Sequence, residues 1–457
     1  MRIHFIAIGG AAMHNLALAL KQNGNLITGS DDEIYNPALD RLASAGLLPE
    51  RFGWFPGRIT PELDAIVLGM HARADNPELL RAQSLGLPVY SYPDFIYQQS
   101  LNKKRFVVAG SHGKTTTTAM AMHVLRKLDA AFDYLVGAQV QGFDTMVRLS
   151  DAPALLVEGD EYFASPLDHT PKMVRYRPHH AVLTGIAWDH INVFPTFEQY
   201  CAQFNLLLEA VETGGSVIWY AHDPEIQALI QKSTSKSRWK SKPFSPFEAQ
   251  VEEGRTLVST AGRAPVALRI FGTHNLLNAR AASLICSEFG IGEYEFLLAL
   301  SDFEGAAKRL QLLAGNKHFN AWLDFAHAPS KVRATVAAVH EQYPDRPLTA
   351  CLELHTFSSL NRDFLPQYRD SLHLADEAAV YFSPHTLEMK KMPPLDANQI
   401  RQAFGHPQLQ VFTDSSELSQ WLSRRSWQER NLLLMSSGTF DGMDARSLAR
   451  GFADQAL

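Results

Sequence analysis

Residues Ala109 to Met120 read AGSHGKTTTTAM: closely spaced glycines, one lysine and a run of hydroxyl side chains. Behind the apolar stretch RFVV and ahead of a helical pattern, such a loop can turn backbone N–H groups onto anionic oxygens. Gly110, Ser111, His112 and Gly113 would form the cradle, with Thr116 in the first helical turn. Lys114 would set a point charge on the outer phosphates of a nucleotide, and Thr115 would offer its hydroxyl to magnesium. The spacing departs from the standard phosphate loop, because Val108 stands where the first glycine is expected. A plain helix-start turn is the competing reading.

Glu158, Asp160 and Glu161 follow the strand-like run ALLVEG. Clustered carboxylates repel, so near a phosphate loop they suit a cation; standing alone they would be a solvated loop. Asp189-His190, after VLTGIAW, poses the same choice between a second metal contact and a polar turn. No HExxH or paired-cysteine spacing points to zinc, and an oxygen-rich set with one histidine favours Mg²⁺ or Mn²⁺. A second glycine-marked unit opens the chain, MRIHFIAIGGAAMHNLALALKQ. Its AIGGAAM lacks the last glycine of GxGxxG, which makes a dinucleotide site a poor reading.

These groups need rigid elements to hold them. At 457 residues the chain is long enough for about three domains. Its 46% hydrophobic and 20% charged content is that of an ordinary soluble globular protein. A net charge of -6 argues against a nucleic-acid partner. Cys201, Cys286 and Cys351 lie far apart and read as reduced, mostly buried thiols. With no signal peptide visible and no apolar run long enough to span a bilayer, the expectation is a cytoplasmic protein without membrane contact or obligate protein partner.

Apolar runs at Ile3–Ile8, Leu26–Asp31, Asp64–Met70 and Leu87–Tyr92 predict strands of a front unit, residues 1–104. RFVVAG, ALLVEG and HAVLTG predict a parallel sheet in a middle unit, 105–305, with polar groups at the strand ends. Within it, Ser233 to Pro246 reads as an exposed loop and Val251 to Ile270 as short strands. A last α/β unit, 306–457, runs through HFNAWLDFAH, PLTACLEL, EAAVYF and NLLLMSSG.

In combination and order, these segments resemble the Mur ligases, ATP-dependent enzymes of peptidoglycan assembly. AGSHGKTTT is similar to that family's GT(N/H)GKTTT loop, and VEGDEYF to its acidic magnesium motif, which implies Glu158 as a ligand. WDH resembles the segment whose histidine, His190 here, approaches a second metal ion. FGTHNLLNARAA resembles the adenine-side motif and implies His274, Asn275 and Asn278 against the base. FEGAAKRLQ resembles the segment that brings an arginine, here Arg309, to the phosphates. DFAHAPSKVRAT resembles DDYAHHP, implying Asp324 at the ribose and His327 near the reacting centre. The front unit then resembles the family's UDP-binding Rossmann-like domain, with Gly9, Gly10, Ala11 and Met13 at the pyrophosphate and Ser30-Asp31 toward the uridine.

The resemblance implies an α/β fold of three domains: a Rossmann-like UDP-binding unit, a central phosphate-loop ATPase unit and a C-terminal Rossmann-like unit. It also implies ATP and two Mg²⁺ ions, UDP-N-acetylmuramate as the acid, and Thr115, Glu158 and His190 about the metal. Within the family, DEYF, ARADNPE and LLLMSSGTFDGM are similar to motifs of members that add L-alanyl-γ-D-glutamyl-meso-diaminopimelate in peptidoglycan recycling. The alternative is an L-alanine-adding member, whose HRYxRTRD-like arginines are replaced in LELHTFSSLNRD. For either acceptor the resemblance implies His327, His355 and Ser358 facing it. A nicotinamide oxidoreductase would leave the phosphate loop idle, and a folate polyglutamate ligase would leave the front unit idle. A non-catalytic nucleotide-binding regulator with the same fold is the reading from another class.

Overall fold

Strand Lys104–Ala109 carries only apolar side chains after its first two residues, which suits a position buried on both faces. In the computed structural model, which describes every residue except His71, Asn192 and Leu457, it lies inside a seven-stranded sheet. His180–Leu183 pairs with it in parallel on one side and Ala154–Glu158 on the other. The three strands therefore end together, delivering the loop after Ala109, the carboxylates after Val157 and the segment after Leu183 to one edge. Helix Lys114–Lys127 packs behind the loop, with Met120, Val124 and Leu125 buried in the core.

A front sheet of four parallel strands has the order Leu26–Ser30, Arg2–Ile6, Ala65–Leu68, Val89–Ser91. The first strand ends at Ile6; Ala7 already has φ +66, and helix Ala11–Gln22 begins after the glycine pair. The last sheet has six strands: Phe319–Asp324, Arg430–Met435, Leu348–Glu353, Glu377–Tyr381 and Leu409–Phe412 run parallel, and Gln311–Gly315 adds an antiparallel edge. This is the α/β architecture expected, three large sheets in chain order. Two small antiparallel sheets lie beside them: Phe163–Ser165 with Asp168–Pro171, and Ala249–Glu252 with Arg255–Val258 and Val266–Leu268. The second of these overlaps the short strands expected over Val251 to Ile270. One expectation is corrected. Ser233 to Pro246 is not a loop throughout, because Lys240–Phe244 pairs in parallel with Ser216–Tyr220 as the edge strand of the middle sheet. Its polar composition hid it: only one side is hydrogen-bonded, so lysines and a proline are tolerated there.

The three sheets meet across packed and hydrogen-bonded seams. Asn15 Oδ1 accepts from the Met146 backbone at 3.1 Å, and Asn23 Nδ2 donates to the Leu149 carbonyl at 2.7 Å, joining front to middle. Helix Pro329–Gln342 joins middle to last. At its far end Gln342 donates to the Gly254 carbonyl at 2.7 Å, while Thr256 donates to the Gln342 side chain at 3.2 Å. At its centre Ala338 lies so close to Gly272 that a Cβ on the glycine would overlap it.

Gly272 also has φ +83, as Gly290 has φ +82, but a Cβ on Gly290 meets open space. Both alanine variants carry the left-handed backbone strain; only Gly272→Ala adds the collision. Its loss of stability is expected to exceed that of Gly290→Ala by about 1–3 kcal/mol in denaturant unfolding. Equal losses would contradict the packing assigned to this seam.

Candidate active site at the junction of three sheets

A cavity of about 700 Å³ opens where the three sheets meet. Gly10, Ala11 and Met13 line its front; Ser111 to Thr116, Glu158 and His190 line its middle; Arg309, Asp324 and His327 come from the last sheet. The phosphate loop is shaped by its glycines. Gly113 has φ +75, and a Cβ there would overlap the Asn278 side-chain oxygen, so the loop and the helix Thr273–Ser287 approach closely only with glycine.

Lys114 donates to the Gly110 carbonyl at 2.6 Å and to Glu161 Oε2 at 2.8 Å. Glu161 is fully buried and also accepts from Tyr200 Oη at 3.1 Å and faces His190 Nε2 at 3.1 Å. Burial alone would raise the Glu161 carboxyl, but the Lys114 ammonium and His190 outweigh it and hold the group well below its usual range. Burial would likewise lower Lys114; the surrounding Glu161, Asp160 and Glu158 carboxylates raise it instead. The other nitrogen of His190 is hydrogen-bonded to Tyr162 Oη at 2.7 Å. Ser111 Oγ pairs with Tyr200 Oη at 2.7 Å, so the same tyrosine ties the loop to Glu161.

Thr115 Oγ1 donates to Glu158 Oε1 at 2.6 Å, and the Gly137 N–H donates to the other carboxylate oxygen at 2.6 Å. From the last sheet, Arg309 reaches Thr115 Oγ1 at 3.4 Å. His112 Nε2 pairs with Ser330 Oγ at 2.8 Å, and Lys331 donates to Asp189 Oδ2 at 3.1 Å. Burial, then the Lys331 charge, pushes His112 down to about 3 and His327 down to about 4, so both rings are neutral near pH 7. Asp189 is held well below its usual range, because Lys331, His190 and His327 outweigh its burial. His274, Asn275 and Asn278 line the cavity on the side of helix Thr273–Ser287. Burial lowers His274 despite the opposing charge of Asp324, leaving a neutral ring. Asp324 itself accepts from Thr335 Oγ1 at 2.7 Å and from the Leu310 N–H at 2.9 Å.

Residues 108–286 match the Mur ligase middle domain, and residues 2–104 match the Mur ligase family domain described as catalytic. A UDP-N-acetylmuramate–L-alanine ligase of Arthrobacter sp. (strain FB24) is 31% identical over 386 residues, covering 83% of this chain and 80% of the relative. The chain belongs to the Mur ligase family. The UDP-N-acetylmuramate–L-alanyl-γ-D-glutamyl-meso-2,6-diaminoheptandioate ligase of Escherichia coli (strain K12) is 25% identical, with 100% of this chain and 99% of the relative covered. Among solved structures, a murein peptide ligase of Psychrobacter arcticus 273-4 superposes with a TM-score of 0.64 at 23% identity, covering 100% and 98% of the two chains.

Not every candidate residue of this Mur ligase lies on the cavity. Among the described residues, Gly9, Ser30 and Asp31 sit behind its front wall: Asp31 accepts from the Gly9 N–H at 2.7 Å, and Ser30 from Arg58 at 3.2 Å. Burial raises Asp31 to about 6. Gly110 is also set back, holding Lys114 through its carbonyl. His355 and the buried Ser358 lie beyond the carboxyl end of strand Leu348–Glu353, outside the cavity wall; His355 Nδ1 is 3.6 Å from Glu353. Two contributors, Lys172 and Tyr200, lie outside every motif read from the sequence, and Lys331 lies inside DFAHAPSKVRAT without having been singled out. Tyr162 is readable as the residue after the carboxylates.

Thr115 and Glu158 present paired oxygen donors, which fit a hard cation such as Mg²⁺. His190 stands apart from them across Glu161. Among the described residues, no group of three or more His, Cys, Asp and Glu side chains is arranged to hold a metal ion by itself. Water and phosphate oxygens would complete the shell.

Because the Glu161 carboxyl is depressed, its stabilising contribution is present above its ordinary value of 4.5 and is lost as pH falls toward the native value. Glu161→Gln removes that titration and leaves the buried ammonium unpaired. It is expected to cost about 3–5 kcal/mol near neutrality and to show a shallower loss of stability in acid. Urea unfolding across the acid range checks both; parallel curves for the two proteins would contradict the pairing.

Proposed function

We propose that this chain is an ADP-forming ligase that joins the carboxylate of UDP-N-acetylmuramate to the amine of L-alanyl-γ-D-glutamyl-meso-diaminopimelate. The observation that carries the reading is one shared cavity, on which the front glycine turn, the phosphate loop and Arg309 all converge. Segment 1–104 would hold the sugar nucleotide, 105–305 the ATP and 306–457 the incoming peptide. Such a reaction on soluble nucleotides fits the cytoplasm and peptidoglycan recycling or synthesis.

A carboxylate is a poor acylating group because oxide is a poor leaving group. One of its oxygens attacks the γ-phosphorus of ATP and ADP departs. The amine nitrogen then attacks the acyl carbon of the acyl phosphate, inorganic phosphate leaves with the former carboxylate oxygen, and the nitrogen gives up a proton to form the amide. The transfer depends on positioning and charge neutralisation. Lys114 and Arg309 supply the fixed positive charges. Thr115, Glu158 and His190 would hold Mg²⁺, two ions in our reading, which would neutralise phosphate charge when bound. Neutral His274 with Asn275 and Asn278 suits an adenine, and Asp324 a ribose hydroxyl. Gly9, Gly10, Ala11 and Met13 are assigned to the pyrophosphate side, with Ser30 and Asp31 shaping that turn toward the uridine. His327 lines the cavity, with Nδ1 bonded to the Phe325 carbonyl at 3.0 Å and Nε2 3.9 Å from Asp189 Oδ2. A ring held near 4 is a weak base at neutrality, so its assigned part is orienting the amine.

The peptide acceptor is supported by the full-length match to the Escherichia coli relative and by Thr356 and Ser358 or Ser359 standing where arginines for free alanine are expected. His355 and Ser358 are assigned to that acceptor from their place beyond a strand end of the last sheet. The second reading, L-alanine as acceptor, is favoured by the higher identity to the Arthrobacter ligase.

Phosphate release with ATP, Mg²⁺ and UDP-N-acetylmuramate is expected to be fastest with the tripeptide, against L-alanine and L-serine supplied separately. Preference for L-alanine would support the second reading, and nucleotide binding with no release for any acceptor would favour a regulator. Lys114→Ala is expected to lower turnover by about a hundredfold or more with the fold intact. Full activity in that variant would remove the phosphate-loop assignment.

A further inference from the structure

Lys172 is a cavity-lining ammonium that the mechanism above leaves without a task. It opens the short helix Lys172–Arg175, and its side chain is 14% exposed. Asp160 Oδ2 accepts from it at 2.8 Å. The rings of Tyr92 and Tyr162 lie 5.6 and 5.7 Å from its nitrogen. An ammonium has three donors, and among the described residues only Asp160 takes one. Two aromatic faces flank the remainder, and the cavity is bounded by all four side chains. Burial would lower this group, yet Tyr92 and the Asp160 carboxylate raise it instead. A buried, charged and under-committed donor at a cavity wall is built for an anion.

Its position narrows the anion. Among the described residues, the lysines and arginines lining the cavity are Lys114, Lys172, Arg309 and Lys331. Lys114 belongs to the phosphate loop, Arg309 and Lys331 to the last sheet, where Lys331 is already paired with Asp189. Lys172 alone stands beside a front-unit residue, Tyr92, which begins the helix Tyr92–Gln98. The acid to be activated must lie between the front glycine turn and the phosphate loop. We infer that Lys172 is a substrate-specificity residue whose free N–H groups bind the carboxylate of the sugar-linked acid, with Asp160 setting how strongly. This rests on the function proposed above.

The test compares two ligands that differ in the acid. UDP-N-acetylmuramate carries the lactyl carboxylate and UDP-N-acetylglucosamine does not. Dissociation constants for both, measured by calorimetry without divalent metal, give a selectivity ratio for each protein. Lys172→Met is expected to reduce the wild-type preference for the acid by about tenfold or more, with affinity for UDP-N-acetylglucosamine nearly unchanged. Lys172→Arg is expected to retain most of the preference. Asp160→Asn removes a competing carboxylate and is expected to increase it, an outcome that remains readable should Lys172→Met fail to fold. Equal weakening of both ligands in Lys172→Met would show a structural role and overturn the proposal. So would an unchanged ratio in Asp160→Asn. Wild-type protein that binds neither sugar nucleotide would instead overturn the function on which the proposal rests.

Discussion

A carboxylate sealed from water must find donors, and Glu161 finds them in the groups that the chemistry needs. Its charge is compensated by Lys114 at 2.8 Å, with Tyr200 and His190 each at 3.1 Å. Separating such a buried pair is costly, so the lysine is held in place before any nucleotide arrives. The Gly110 carbonyl takes a second of its donors and leaves one for a phosphate. The loop is thus preorganised by an internal anion, which a bound triphosphate then shares. Electrostatic preorganisation of this kind lowers the reorganisation needed when charge develops in a reaction.

The remainder of the fold brings other groups to that pair. Parallel strands release their loops at carboxyl ends, and three such edges face one another around the cavity they share. The first turn of helix Pro329–Gln342 matters most at the seam with the last sheet. Ser330 touches the phosphate loop through His112, and the next residue, Lys331, touches Asp189. Any movement of the last sheet therefore pulls on both sides of the site at once. Ion pairs and hydrogen bonds of this kind can exchange partners when a lobe swings, whereas the apolar strands beneath them do not.

Much of the fold was legible because apolar runs punctuated by glycine mark buried parallel strands without help from tertiary context. The middle-sheet edge strand Lys240–Phe244 was not, since an edge position tolerates the lysines and proline that made it read as a loop. In the site, Lys114, Thr115, Glu158 and Arg309 were legible as parts of local motifs, and the structure sets them all on the one cavity. Lys172 and Tyr200 belong to helices whose local patterns are ordinary; only packing brings them to the site. The reverse also occurs. Asp31 has the sequence position of a ligand-facing residue, yet its carboxylate turns inward to hold the Gly9 N–H.

The central claim is that the cavity lets the acid oxygen reach the terminal phosphorus of a triphosphate gripped by Lys114. It is tested most directly with UDP-N-acetylmuramate labelled with ¹⁸O in the lactyl carboxylate, followed by mass analysis of the phosphate released during amide formation. Transfer of one labelled oxygen to each phosphate is the result this account predicts. Phosphate free of label, formed at the same rate as the amide product, would contradict it.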